Sequence, residues 1–198
     1  MIMLSKTEGE KLVKLARQTV SDYLKKKEPA LKKTEFKEKR GVFVSIHIYP
    51  DYELRGCIGY PEPIFPLGEA IQKSAISAAF QDPRFTPLNS DEMNKVVFEI
   101  SVLTKPELIK VKNAKEHLNK IKIGKDGLIV EYDICRGLLL PQVPLQFKPV
   151  WNVETFLEQT CMKSGLLPDM WLDCKTKIYK FQAQIFKEKT PNGEIIQT

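Results

Sequence analysis

Two runs of alternating residues constrain the fold of this chain more than any other feature. Val42, Val44, Ile46 and Ile48 alternate with Phe43, Ser45 and His47, and Tyr49-Pro50-Asp51-Tyr52 then turns the chain into a second run, Glu53–Tyr60. Successive side chains of a strand point to opposite faces, so this pattern marks a half-buried strand. Residues 41–49 and 53–60 are expected to form an antiparallel hairpin centred near Asp51, with Ser45 opposite Cys57 and His47 opposite Arg55. The even positions Val42, Val44, Ile46, Ile48, Leu54 and Ile58 make an apolar core face, and Ser45, His47, Arg55 and Cys57 gather on the other. A slip of one residue would bury Arg55, which is expensive, so energy selects this register.

Within Leu54-Arg55-Gly56-Cys57-Ile58-Gly59, glycines weaken the strand and signal a bulge or a close approach by backbone or ligand. A further strand at 96–104 turns Val96, Phe98, Ile100 and Val102 to one face and Glu99 and Ser101 to the other, so Glu99 can join Arg55 and Cys57 if the strands share a sheet. Cys57 reads either as a small buried hydrophobe or as a reactive thiol whose thiolate Arg55 would favour. Arg55 either pairs with Asp82 or Glu99, or captures a carboxylate or phosphate in bidentate fashion. Asp82-Pro83-Arg84 is most simply a turn that stops a helix and holds a local ion pair. His47 reads as an exposed strand residue rather than a base for Cys57. Gly124-Lys125-Asp126-Gly127 lacks the upstream glycine of a phosphate loop and suits a hairpin.

The rest of the chain frames these strands. Thr7-Glu8-Gly9-Glu10 matches a capping box ahead of an amphipathic helix that Lys25–Lys27 and Pro29 would close. A helix rich in small residues, from Leu67 to about Ala79, suits close packing on a sheet. Ser90 is expected to cap a short turn. Lys105-Pro106 marks a subdomain border. A short helix near Asn113, a strand at 128–132, a helix capped by Asn152 with Gly165 just past its end, and a long final strand at 175–186 follow. Residues 187–198 read as a frayed polar tail.

The 198 residues suit one compact domain or two intimate subdomains. No apolar run reaches the ~20 residues that span a bilayer, and no signal pattern opens the chain, which points to the cytoplasm. Four dispersed cysteines and two histidines lack the close ligand pairs of a structural zinc site. The net charge of +6 resides in residues 1–40, with twelve Lys/Arg against six Asp/Glu. It is read as a solvated helix face in preference to a nucleic-acid surface.

Gly41-Val-Phe-Val-Ser, Leu54-Arg-Gly-Cys-Ile-Gly, Asp82-Pro-Arg-Phe, Phe98-Glu-Ile-Ser-Val-Leu and Gly137-Leu-Leu-Leu-Pro-Gln-Val, in this order, resemble the successive motifs of the AMMECR family. The likeness continues through Trp151, Phe156, Cys161, Gly165 and the closing strand. It implies an α+β fold of two subdomains, each with an antiparallel sheet and packed helices. The larger would span about 1–104 and 173–198 and the smaller, inserted one about 105–172, with the hexapeptide facing a cleft between them. Family members stand beside, or are fused to, Memo-like and radical-SAM proteins, which makes these the implied partners. Members are taken to be enzymes of unassigned activity, so no catalytic residue and no cofactor carries over. Members often place a carboxylate where this chain has Gln146.

Together these readings give an expected enzyme of unknown substrate. Cys57 would be nucleophile or redox thiol, Arg55 an anion clamp and Glu99 an acid–base group, with Ser45, Gly56, Gly59, Asp82, Arg84 and Gln142 shaping the cleft. The alternatives are a non-catalytic module that binds a peptide, nucleotide or protein, and nucleic-acid binding through the basic first forty residues.

Overall fold

The computed structural model describes residues 3–26 and 31–198. In chain order its elements are α1 (Lys6–Lys26), β1 (Val42–Ile48), β2 (Glu53–Tyr60), α2 (Leu67–Phe80), β3 (Val96–Leu103), β4 (Glu107–Leu108), α3 (His117–Lys120), β5 (Gly127–Tyr132), β6 (Cys135–Leu139), α4 (Val153–Lys163), β7 (Lys177–Phe181), β8 (Ala183–Glu188) and β9 (Ile195–Gln197). The chain divides into two compact units, Met1–Leu103 with Gln184–Thr198, and Thr104–Ala183. One antiparallel sheet runs β2-β1-β3-β8-β9 and the other β4-β7-β5-β6. The fold class is α+β, as expected.

In the first unit α1 and α2 pack on one face of the five-stranded sheet. Leu12, Val13, Ala16 and Val20 of α1, Ile71, Ala75 and Ala78 of α2, and Val44, Ile46, Phe98 and Ile100 of the sheet form its core. Helix α1 opens earlier than the Thr7 box suggests. Ser5 Oγ accepts the Glu8 N–H at 3.3 Å, and the Glu8 carboxylate accepts the Ser5 N–H at 2.8 Å. Ser5-Lys6-Thr7-Glu8 has the spacing of a capping box as well, and using it leaves Gly9 inside the helix, where a Cβ would sit 2.1 Å from the Phe186 ring. The expected stop at Pro29, with Lys27, lies outside the described residues.

Arg17 is a charged residue inside this core, only 7% exposed. Its Nε and Nη2 each donate to Glu188 of β8 at 2.6 Å, Nη1 donates to the Met93 carbonyl and Nη2 also to that of Val96. Glu188 in turn accepts the Phe98 N–H at 2.9 Å. A buried ion pair is tolerable only when its remaining hydrogen bonds are made, and here they are. The network joins α1, β3 and β8.

The C-terminal region departs from expectation in two ways. The long strand expected at 175–186 is two strands, because β7 pairs with β5 in the second sheet while β8 belongs to the first. The chain therefore returns to the first unit at Gln184. The expected frayed tail is a β8–β9 hairpin with Ile195 and Glu188 both buried. A polar composition concealed it, since the hairpin's anchors are one isoleucine and one paired carboxylate.

The second unit has its own core of Leu128, Val130, Phe156, Leu157, Cys161, Trp171 and Ile178. Asn152 caps α4 by accepting the Thr155 N–H at 2.8 Å, and Gly165 follows it with φ of +80°. Both agree with the sequence reading. All four cysteines are unpaired.

Small residues let α2 approach the sheet closely. A Cβ on Gly56 would lie 2.1 Å from the Ala78 carbonyl oxygen, a backbone atom that cannot turn aside. Gly56→Ala is expected to cost about 1–3 kcal/mol by overpacking, read as a lower urea midpoint. A midpoint equal to wild type would show that α2 can retreat freely.

Candidate functional site

Strand β2 carries a bulge, one of the features that its glycines signal. Cys57 opposes Ser45 and Gly56 opposes Ile46, but His47 opposes Leu54, not Arg55. Arg55 is the extra residue of a β-bulge. Before the bulge the alternation reverses, and Leu54, expected in the core, is 37% exposed. Ile48, at the end of β1, is exposed to the same extent.

The bulge also changes the fate of Arg55. Its guanidinium reaches neither Asp82 nor Glu99. It donates through Nε and Nη2 to Glu92 at 2.8 and 3.2 Å. Glu92 closes a capping box with Asn89, which accepts the Asp91 and Glu92 N–H groups while Glu92 accepts that of Asn89. Asn89, rather than Ser90, is therefore the cap of the Ser90–Glu92 turn. Burial opposes ionisation of Glu92, yet Arg55 and the Asn89 N–H outweigh it and hold the carboxyl below its ordinary value. The sequence reading missed Glu92, although Asn89-Ser90-Asp91-Glu92 carries the box spacing.

The other expected partners do converge. Cys57, Ser45 and Glu99 lie abreast on β2, β1 and β3, on the face turned away from α1 and α2. Ser45 Oγ donates to Cys57 Sγ at 3.2 Å. Burial pushes the Cys57 thiol up from its ordinary value. Ser45 and Arg84 pull it back, and the carboxylates of Asp82 and Glu99 push it further up. Arg55, committed to Glu92, is not among the groups that act on this thiol, and burial prevails over the pull toward a thiolate. Burial likewise raises the Glu99 carboxyl, against the pull of His47 and of Lys187 on β8.

Asp82 and Arg84 act on the backbone of this strand. β2 is an edge strand, so the outward N–H and C=O of Cys57 have no strand to meet. Asp82 Oδ2 accepts the N–H at 2.9 Å and Arg84 Nη2 donates to the C=O at 3.2 Å. The two side chains also pair with each other at 2.7 and 2.9 Å. Arg84's hydrogen bonds, with the Cys57 and Arg84 N–H groups, hold the Asp82 carboxyl well below the usual range despite burial.

Packing accounts for both glycines. Gly56 admits the Ala78 carbonyl, and Gly59 leaves room for the Phe43 ring, 2.5 Å from where its Cβ would stand. Gln142 belongs to the second unit, where its Oε1 is buried with no hydrogen-bond partner among the described residues. Among those residues no three His, Cys, Asp or Glu side chains converge as metal ligands, and no helix is long and apolar enough to cross a membrane.

The AMMECR1 family model matches residues 13–186. The chain is 54% identical over 199 residues to protein MJ0810 of Methanocaldococcus jannaschii, covering 100% of this chain and 98% of that one. It is 52% identical over 194 residues to protein PH0010 of Pyrococcus horikoshii, covering 94% and 93%. The crystal structure of PH0010, titled as an uncharacterized protein, superposes with a TM-score of 0.86 at 51% identity over 96% of each chain.

The Asp82 clamp makes a pH-dependent prediction. A carboxyl held below its unfolded value of about 3.9 adds stability that is complete above that value and is lost as pH falls through the folded one. Asp82→Asn is expected to cost about 1–3 kcal/mol at pH 7 and to flatten the decline of wild-type stability below about pH 4. Urea midpoints across pH measure both. Parallel acid limbs for the two proteins would exclude the clamp as a source of stability.

Proposed function

From the premise that this chain belongs to the AMMECR1 family, we propose that it is an enzyme acting at the row Cys57–Ser45–Glu99. The observation that carries this reading is the alignment of a thiol, a hydroxyl and a burial-raised carboxyl on three adjacent strands. Two strand spacings, about 10 Å, separate the backbones of Cys57 and Glu99. A molecule touching both would lie across Ser45, which sets the scale of a small metabolite or a single residue of a larger chain.

Glu99 is the acid–base group of this reading. A carboxyl raised from its ordinary range holds its proton closer to neutral pH and is a stronger base once ionised. Cys57 is the thiol that contacts substrate, and Ser45 orients it. Asp82 and Arg84 fix the strand beneath the thiol. Arg55 supports the bulge through Glu92 and does not serve as a free anion clamp.

The upward push of burial on the Cys57 thiol favours a second reading, a module that binds a small molecule or a partner of the Memo-like or radical-SAM kind without turnover. A half-buried thiol beside two carboxylates, with its pKa pushed up, is a poor nucleophile.

Small molecules retained by the purified protein, identified by mass spectrometry, separate the two. The enzyme reading expects wild type to retain a ligand, and Cys57→Ser and Glu99→Gln to accumulate it unreacted when it is supplied in excess. Equal retention by all three proteins with no chemical change in the ligand would establish binding alone. A Cys57 inert to iodoacetamide at pH 7 and still inert above the ordinary thiol pKa of about 8.5 would remove its nucleophilic role.

A further inference from the structure

Helix α1 carries a polar stripe beside the turn that joins β8 to β9. Lys14, Arg17, Gln18 and Ser21 recur at i, i+3, i+4 and i+7, so they share one face of the helix. With Asn94, just before β3, and Asn192, in the β8–β9 turn, they line a pocket of about 380 Å³. All of these residues belong to the first unit. The pocket stands on the helix side of the sheet, at the buried pair of Arg17 and Glu188, and is separate from the row Cys57–Ser45–Glu99.

One end of the stripe has charge to spare. Arg17 is matched by Glu188, and four of its five N–H hydrogens go to that carboxylate and to the carbonyls of Met93 and Val96. The fifth, on Nη1, has no acceptor among the described residues. Lys14 is exposed and has neither hydrogen bond nor ion pair among those residues. Glu10, one turn before it, pairs with Lys6, and Asp22, two turns after it, is held by Lys32 and Gln18. Lys14, Arg17 and Glu188 together leave one net positive charge at this end.

The other end is neutral. Gln18 Nε2 donates to Asp22 at 2.6 Å, which leaves its Oε1 as an acceptor. The Ser21 hydroxyl and the Asn94 and Asn192 amides make no hydrogen bond among the described residues. Seven residues of helix separate Lys14 from Ser21, a rise of about 10 Å. A ligand lying along this wall meets a cation at one end and uncharged hydrogen-bonding groups at the other. The volume is near the lower end of the range for small-molecule pockets, about 300–1,000 Å³, so it suits one small metabolite.

We propose that this pocket binds a small phosphate ester of a sugar or polyol. The phosphate lies against Lys14 and the spare Arg17 hydrogen, and the hydroxyls of the body meet Gln18, Ser21 and the two asparagine amides. A phosphate suits the charged end because its terminal oxygens accept from several donors at once, and an ammonium and a guanidinium hydrogen are both on offer there. Bound in this way, the ligand bridges α1 to the β8–β9 turn. The site stands whether or not the row on the opposite face is catalytic.

Isothermal titration of the full chain with ribose 5-phosphate, inorganic phosphate and gluconate tests the site. Ribose 5-phosphate is expected to bind with a Kd of about 1 mM or tighter, and inorganic phosphate, which lacks the body, more weakly. Lys14→Gln should weaken both about tenfold or more, and Ser21→Ala should weaken ribose 5-phosphate alone. Lys14 has no partner to lose, so its variant should keep the wild-type urea midpoint. Lys11→Gln removes an equal charge from a lysine that pairs with Glu35, and should leave affinity nearly unchanged at physiological ionic strength. Tighter binding of gluconate, whose head is a carboxylate, would overturn the phosphate assignment. Equal losses in Lys14→Gln and Lys11→Gln, or no binding of ribose 5-phosphate, would overturn the site.

Discussion

The Asp82–Arg84 clamp on Cys57 is the contact that gives the candidate site its geometry. An edge strand presents unpaired backbone groups, and proteins manage such edges by covering or twisting them. Here two side chains from the turn after α2 meet one N–H and one C=O as a neighbouring strand would. The same turn follows the helix whose Ala78 carbonyl presses on Gly56. The residue before Cys57 is thus held from the helix side and Cys57 itself from the edge. The direction in which the thiol points follows from these two contacts.

That clamp has an electrostatic side effect. It sets a carboxylate under the thiol, and its guanidinium is occupied with that carboxylate. Two buried arginines of the same unit are also paired, Arg55 with Glu92 and Arg17 with Glu188. The polar row therefore holds its protons more tightly than isolated side chains would. A site of this kind is suited to giving and receiving protons, and ill suited to keeping a permanent thiolate.

Alternation alone made β1 and β3 legible, because the apolar residues of the core face recur in period two in both. It also brought Ser45 opposite Cys57 and, once the strands shared a sheet, Glu99 beside them. It failed at Arg55. The glycines signal a bulge or a close approach but not where the extra residue falls, so the run does not show that the parity reverses at Arg55. The partner of Arg55 was missed for a related reason, since Asn89 and Ser90 are both good caps and only one leaves Glu92 in the box. The tail was misread because burial there depends on Arg17, a residue some 170 positions away in sequence. Pairing over such a distance leaves no local signal.

The insertion of Thr104–Ala183 into the first unit has a consequence for how the protein is made. Ribosomes extend a chain from its N-terminus at about 5–20 residues per second. β1, β2 and β3 emerge together, but β8, the strand that completes the sheet beside β3, follows only after the whole second unit has been translated. During those seconds β3 is an open edge, and Arg17 has no Glu188 to neutralise it. The nascent first unit is then at its most adhesive, exposing the kind of transient edge that chaperones shield. Arrival of a single strand closes the sheet and neutralises the buried cation in the same event.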